Sequence, residues 1–205
     1  MTNIRARRPL DRKVHVRDAK LIFVAVEGRE TEAQYLEMFR HGNAKFSIVV
    51  VKPNNDASAP QHVLAKLKEE LGQKGFDEET DEAWIMVDVD HGTETNHIGN
   101  MRETLQQAVQ AGYNLALSNP CFECWLIMHH GDPPQLPQQQ SLSNDYKGHL
   151  RTLIGGYNES NVDIEKFRLH VEVAIARAKQ LDYPPADRIP NYPGSHVYKL
   201  VEKLK

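Results

Sequence analysis

The sequence predicts an α/β protein built on a mostly parallel sheet flanked by helices, with a helical C-terminal extension. Two observations predict it. Four short apolar, β-branched runs recur along the first 117 residues, at Leu21–Val26, Phe46–Val51, Ala83–Val87 and Leu115–Leu117. Segments with apolar residues at helical spacing separate them. Short continuous apolar runs suit strands covered on both faces, and a β-α-β-α alternation calls for right-handed crossovers in one sheet.

The elements follow in order. Residues 30–41 place Tyr35, Met38 and Phe39 on one helical face, with Thr31 near the start. Residues 59–72 carry Val63, Leu64, Leu67 and Leu71, and Pro60 suits a first turn. Residues 97–111 run through Ile98, Met101, Leu105, Ala108 and Val109 to a stop at Gly112. Ser118-Asn119-Pro120 breaks the fourth strand and leads into a buried helix over Cys121–His130. Residues 131–143, with three prolines and four glutamines, read as a linker or surface loop. Ile164, Phe167, Val171, Ala174, Ala178 and Leu181 then step by three and four as one narrow seam, which Pro184 and Pro185 end. Its expected use is packing within the chain, with a dimer helix as the alternative. A last short helix is expected over Ser195–Leu204. The division is a basic arm over 1–17, an α/β core over 18–131, and a linker with helical extension packed on the core over 132–205.

Composition narrows the function. The 205 residues carry 25 Lys+Arg against 28 Asp+Glu, a net charge of -3. That mean hides an asymmetry, because residues 1–20 hold seven basic side chains against two acidic ones. A basic arm on an acidic body suits an anionic polymer or an acidic partner, or is simply a solvated terminus. No apolar run approaches the length of a membrane span, and Leu21–Val26 is too short for a signal sequence and runs into charge. Two cysteines are too few for a disulfide framework, so a cytoplasmic location is expected.

The chemistry concentrates where strands end. In an open parallel sheet, ligands bind beyond the carboxyl ends of the strands. Glu27 follows the first strand, Asp88-Val89-Asp90 follows the third, and Asn119 with Glu123 follows the fourth. Period 2 along an extended segment puts Asp88 and Asp90 on one side. With Glu27 on a neighbouring strand, three carboxylates converge and repel unless protons or a hard divalent cation neutralise them. Such a cation suits phosphoryl chemistry, Gly28 permits close backbone approach, and Arg29 is placed to pair with phosphate. The competing reading is ordinary helix capping and a turn at Asp90-His91-Gly92.

These residues carry a resemblance. Glu after the first strand with Asp-x-Asp after a later one resembles the Toprim domain of topoisomerases, primases and OLD-type nucleases. Val26-Glu27-Gly28-Arg29-Glu30-Thr31-Glu32, Asp88-Val89-Asp90-His91, and Ser118-Asn119-Pro120-Cys121-Phe122-Glu123-Cys124-Trp125-Leu126 more closely resemble the RloB-like family, as does the ending Asn191–Leu200. The resemblance spans about residues 20–200. It implies a Toprim-like (Rossmann-like) fold and a metal-dependent nuclease, cutting RNA, including tRNA, or DNA in prokaryotic anti-phage defence beside a partner AAA/ABC-type ATPase. By that analogy Glu27, Asp88 and Asp90 are the catalytic and metal-binding residues, with Mg2+ or Mn2+, and Glu123 is a further acid. Arg29 stands where the family pattern has an acid, and Tyr192-Pro193-Gly194 interrupts its Asn-Pro-Ser tail.

Other residues carry two readings each. His91 is a metal ligand, phosphate contact or acid, or part of a turn. Asn119 ties the strand end to the site or caps the next helix, and the cap is favoured. Cys121 and Cys124 read as small buried thiols rather than a redox pair. His129 and His130 end a helix, where cations suit the dipole, and read as structural. His196 and Lys199 share a face of the last helix and are candidates for a phosphate or a partner. The function expected is a metal-dependent phosphodiesterase on nucleic acid, with homo-oligomerisation open. The alternative is a non-catalytic subunit that senses metal or ligand and docks on an ATPase through the Ile164–Leu181 seam. A receiver-like phosphotransfer site lacks the paired acids after the first strand and a lysine after a late one.

Overall fold

The computed structural model describes residues 19–40, 45–53, 59–89, 95–137, 142–185 and 188–205. The predicted basic arm, Asp90 and His91 lie outside them. Fourteen elements run in the order β1 (Lys20–Val26), α1 (Thr31–Glu37), β2 (Phe46–Val51), α2 (Pro60–Lys74), β3 (Glu82–Met86), α3 (Thr95–Gln110), β4 (Asn114–Leu115), β5 (Ser118–Asn119), α4 (Phe122–Ile127), α5 (Leu142–Leu153), α6 (Glu165–Arg168), α7 (Val171–Leu181), β6 (Gly194–Ser195) and α8 (Val197–Val201). Among them no helix is long and apolar enough to cross a membrane.

Four strands form a parallel sheet in the order β2-β1-β3-β4. The chain leaves β1 in one direction to reach β2, then returns past β1 to reach β3. A right-handed crossover in each direction puts α1 and α2 on opposite faces. The strand sequences obey the alternation this requires. Ile22, Val24 and Val26 face one core with Trp84 and Met86, while Phe23 and Ala25 face the other with Ala83, Ile85 and Val87. The second core is closed by Val63, Leu64, Leu67 and Leu71 of α2 and by Met101, Leu105 and Ala108 of α3. Pro60 opens α2 at its first turn, and Gly75 ends it with a left-handed φ of 64°.

The first core is larger, and α4 with the helices that follow it builds most of it. Tyr35 and Leu36 of α1 meet Phe122, Trp125 and Leu126 of α4, Tyr146 and Leu150 of α5, and Val197 and Leu200 of α8. The segment after residue 131 thus completes, with α1 and α4, the helical layer on this face of the sheet. The fourth strand is shorter than the sequence implied. β4 stops at Leu115, yet Ala116 and Ser118 still donate their amides to Ile85 and Val87, so the chain stays beside β3 until β5 turns to pair antiparallel with β6.

The seam from Ile164 to Leu181 is not one helix. It breaks at Leu169-His170, and Leu169 is 87% exposed. The break lets Phe167 pack edge-on against His129 and His130, at ring centroid distances of 5.3 and 5.7 Å. Phe167, Ala174, Ile175 and Ala178 are buried, so the seam packs within the chain. His196 is likewise internal. Its Nε2 lies 3.0 Å from Asp182 Oδ1, and the Tyr198 hydroxyl donates to Asp182 Oδ2 at 3.0 Å, tying the end of α7 to α8. Burial holds the His196 pKa below the ordinary value against the pull of Asp182. Asp182→Ala leaves two buried polar groups without their acceptor and is expected to lower unfolding free energy by about 3 kcal/mol in urea titration. Lys199→Ala, which removes a half-exposed ammonium 3.8 Å from Asp182, is expected to change it by less than about 1 kcal/mol.

Candidate functional site: a buried carboxylate cluster at the strand ends

The reversal of strand order between β1 and β3 leaves a crevice at their carboxyl ends, the usual ligand position in such sheets. Glu27 and Asp88 stand on its two sides. The Glu27 amide donates to Met86 O at 3.1 Å, continuing the β1–β3 ladder by one residue. Its side chain then crosses the crevice, and Oε2 accepts the Asp88 amide at 2.8 Å. Asp88 in turn bridges to Ser118 in parallel fashion, which extends the pairing two residues beyond the end of β3.

Two further acids come from helices. Gly28 donates its amide to Glu32 Oε1 at 3.0 Å, which folds the first turn of α1 back over the end of β1. A Cβ at Gly28 would stand 2.2 Å from Glu32 Oε2, so no other residue fits there without moving that carboxylate. Glu123, in the first turn of α4, accepts the Tyr157 hydroxyl at 2.9 Å. Glu27, Glu32 and Glu123 are only 6%, 5% and 4% exposed, and Asp88 is half-buried. All four line one cavity of about 420 Å3. Lys147 of α5 and the Glu159-Ser160 turn close its other side, and Arg29 lies exposed at its edge.

Burial and mutual repulsion raise the proton affinity of this cluster. Burial pushes Glu27 up to about 8, against the bond from the Asp88 amide and with help from the Glu32 charge. Burial raises Glu32 as well, with the Glu123 charge adding to it and Lys147 opposing it. Asp88 is raised well above the ordinary carboxylate range by desolvation, then by Glu27, Glu32 and Glu123. Carboxyl groups in this state either keep protons or share a cation. The donor set is all oxygen, which fits a hard divalent ion such as Mg2+ or Mn2+ and not a soft one. Among the described residues no three His, Cys, Asp or Glu side chains form a finished ligand group, and the expected third ligand, Asp90, lies outside them.

The sequence placed Glu27, Asp88 and Glu123 at one rim, and the structure brings them to one cavity. Asn119 does not line it. Its Nδ2 donates to Pro190 O at 3.0 Å, and the N-cap position of α4 falls on Cys121, so it is neither a site group nor the expected cap. Cys121 and Cys124 are free and buried, and burial raises both thiol pKa values, the opposite of an activated redox pair. His129 is pushed down to about 3 by burial and is fixed between Trp125 O and the Tyr35 hydroxyl, both at 3.1 Å, so it is neutral and structural. Sequence reasoning missed Glu32, Lys147 and Tyr157. An acid in the first turn of a helix ordinarily serves the dipole, and only its spacing from Gly28 hinted at more. Lys147 and Tyr157 lie in a region without strand ends to direct attention.

The raised Glu27 pKa gives a pH dependence. The metal-free folded state holds the Glu27 proton up to about pH 8, whereas the unfolded chain releases it near 4.5. The folded state therefore binds more protons between these values, and stability falls as pH rises through the window. The thermal midpoint of the metal-free protein is expected to fall between about pH 5 and about pH 8.5, and Glu27→Gln to fall less. Mg2+ is expected to stabilise the wild type more at the higher pH, because protons compete for the same oxygens. Equal pH slopes in the two proteins would refute this.

The model of the RloB-like protein family matches residues 22–204. No curated protein and no solved structure matches the chain significantly. The match runs from β1 through α8 and takes in both the acid-bearing strand ends and the layer that closes the cavity over them, so the chain belongs to the RloB-like family.

Proposed function

We propose that the chain is a metal-dependent phosphodiesterase that cleaves nucleic acid, RNA or DNA, in anti-phage defence. The observation that carries this is the convergence of Glu27, Glu32, Asp88 and Glu123 on one cavity at the β1/β3 crevice. Asp88, with Asp90 two residues on, would hold Mg2+ or Mn2+, and Glu27 would share in its coordination or move a proton. When bound, such an ion polarises a phosphoryl oxygen and lowers the pKa of water beside it. The protein supplies the rest. Glu27, raised to about 8 in the metal-free state, is suited to accept a proton from an attacking water once it is ionised, at alkaline pH or where a bound cation lowers its pKa. Glu32 and Glu123, held by the Gly28 amide and the Tyr157 hydroxyl, fix the acidic wall in place. Arg29 at the mouth is placed to meet a phosphate.

Regulation by a partner ATPase belongs to the same reading, since a nuclease harmful to its host needs a trigger. The alternative of a docking subunit loses its proposed surface, because the Ile164–Leu181 seam is internal.

Asp88→Asn and Glu27→Gln test the reading. Asp88 contributes its backbone amide, not its side chain, to the bond with Glu27, so Asp88→Asn leaves that link intact. Both variants are expected to keep a native circular dichroism spectrum and cooperative unfolding. Both are expected to lose cleavage of RNA (tRNA included) or DNA by about 100-fold or more, measured with Mg2+ or Mn2+ and the partner ATPase present. Full cleavage by well-folded Asp88→Asn would overturn the proposal.

A further inference from the structure

A cavity walled by carboxylates is a poor host for a phosphodiester unless positive charge meets the phosphate from another side. Two described cations line it, Arg29 on the β1–α1 turn and Lys147 on α5. Lys147 comes from the C-terminal layer, across the cavity from the strand ends. Its ammonium lies 2.5 Å from Glu159 Oε2. It also acts on the acids themselves, opposing the rise in the Glu32 pKa. Burial works against its charge, yet Glu159 and Glu123 hold the Lys147 pKa above the ordinary lysine value.

Glu159 differs from the other acids around the cavity. Its side chain is 55% exposed, whereas Glu32 and Glu123 are buried. The backbone around it is nevertheless pinned to α1. Thr31 Oγ1 donates to Glu159 O at 3.1 Å, Gln34 Nε2 to Ser160 O at 3.1 Å, and the Val162 amide to Gln34 Oε1 at 2.7 Å. The Glu159 carboxylate can therefore swing away from Lys147 while the turn that carries it stays in place. A partly exposed ion pair is weak, so a competing anion replaces it at little cost.

We infer that Lys147 is the residue that receives the substrate phosphate, and that Glu159 occupies Lys147 until that phosphate arrives. This rests on the phosphodiesterase reading of the cavity. The exchange is like for like: one oxyanion leaves the ammonium as another takes its place, and the charge-assisted bond is kept throughout. The arrangement also favours a polyanion carrying several phosphates, since one phosphate displaces Glu159 while another meets Arg29 at the edge of the cavity.

A simple brace between α5 and the 157–161 turn makes a different prediction. Loss of either partner of a brace harms the site in the same direction. Loss of a phosphate ligand and loss of its mask act in opposite directions. Calorimetry on the full chain in Ca2+, with short oligonucleotides of DNA and RNA as probes, separates these. Ca2+ is titrated first, and each oligonucleotide is titrated with and without it. Lys147→Met is expected to weaken oligonucleotide binding about tenfold, with Lys147→Arg recovering part of the loss, and Glu159→Gln to tighten it about threefold. Changes of the same sign in Lys147→Met and Glu159→Gln, no change in either, or no oligonucleotide binding by the wild type would each overturn the role of Lys147. In those cases the acidic-cavity reading still stands or falls on Asp88→Asn. Absence of Ca2+ binding by the wild type would instead count against the metal-dependent reading, and the metal-free oligonucleotide titration then decides Lys147 by itself.

Discussion

The hydrogen bond from the Asp88 amide to the Glu27 carboxylate sets the geometry of everything around it. It closes the gap between two strands at the place where the sheet changes direction, and it does so with a buried ionisable group. A carboxylate in that position is costly without compensation. One amide offsets part of the cost, and the remainder appears as a pKa near 8. Every other feature of the cavity either adds to that electrostatic load, as Glu32 does, or relieves it, as Lys147 relieves Glu32. A fold under selection for stability alone would place apolar groups here. Four acids converge here in spite of that cost, and clustered acids with raised pKa values mark a candidate functional site.

The helices that deliver the acids are locked to one another by apolar and neutral contacts rather than by charge. Glu32 and Tyr35 are one turn apart on α1, and Glu123 directly follows Phe122 at the start of α4. The Tyr35 ring packs edge-on against Phe122 and Trp125, at 5.6 and 6.2 Å between centroids. Its hydroxyl meets His129, which burial keeps neutral. The two helices that carry the carboxylates are thus held to each other by an aromatic contact. Repulsion between the acids cannot spread the helices without breaking that packing.

Much of this was legible in the sequence because both faces of the sheet are covered. β2 spans the same residues as its apolar run, β1 starts one residue before its run, and β3 is offset from its run by one residue at each end. Glu27, Asp88 and Glu123 were legible for a related reason: strand ends are where topology gathers side chains, and these three follow apolar runs directly. The shortfalls share a cause too. The Ile164–Leu181 seam has helical spacing throughout, yet the chain breaks at Leu169-His170 so that Phe167 can reach the two histidines. Periodicity reports which residues are buried, not whether the axis that carries them is continuous. Asn119 had good capping chemistry, but the antiparallel pairing of β5 with β6 turned its amide toward Pro190. Both outcomes were decided by partners far along the chain.

The same long-range logic explains why the C-terminal half belongs to the site and not beside it. An acidic crevice at a sheet edge is open to water, and water screens both the repulsion between the acids and the pull of any cation on phosphate. The layer of α4, α5 and the turn at residues 157–161 removes that solvent from one side. Tyr157 supplies a donor to Glu123, and Lys147 supplies a positive charge opposite the strand ends. Neither function is available to the half of the chain that ends at residue 131. The core shared by α1, α4, α5, α7 and α8 therefore does for the cavity what a second domain does for a cleft, with the difference that its two walls rest on one continuous hydrophobic cluster. Walls that share one core resist moving apart, so the side chains at the rim, such as the 55% exposed Glu159, are the groups freest to change the shape of the cavity.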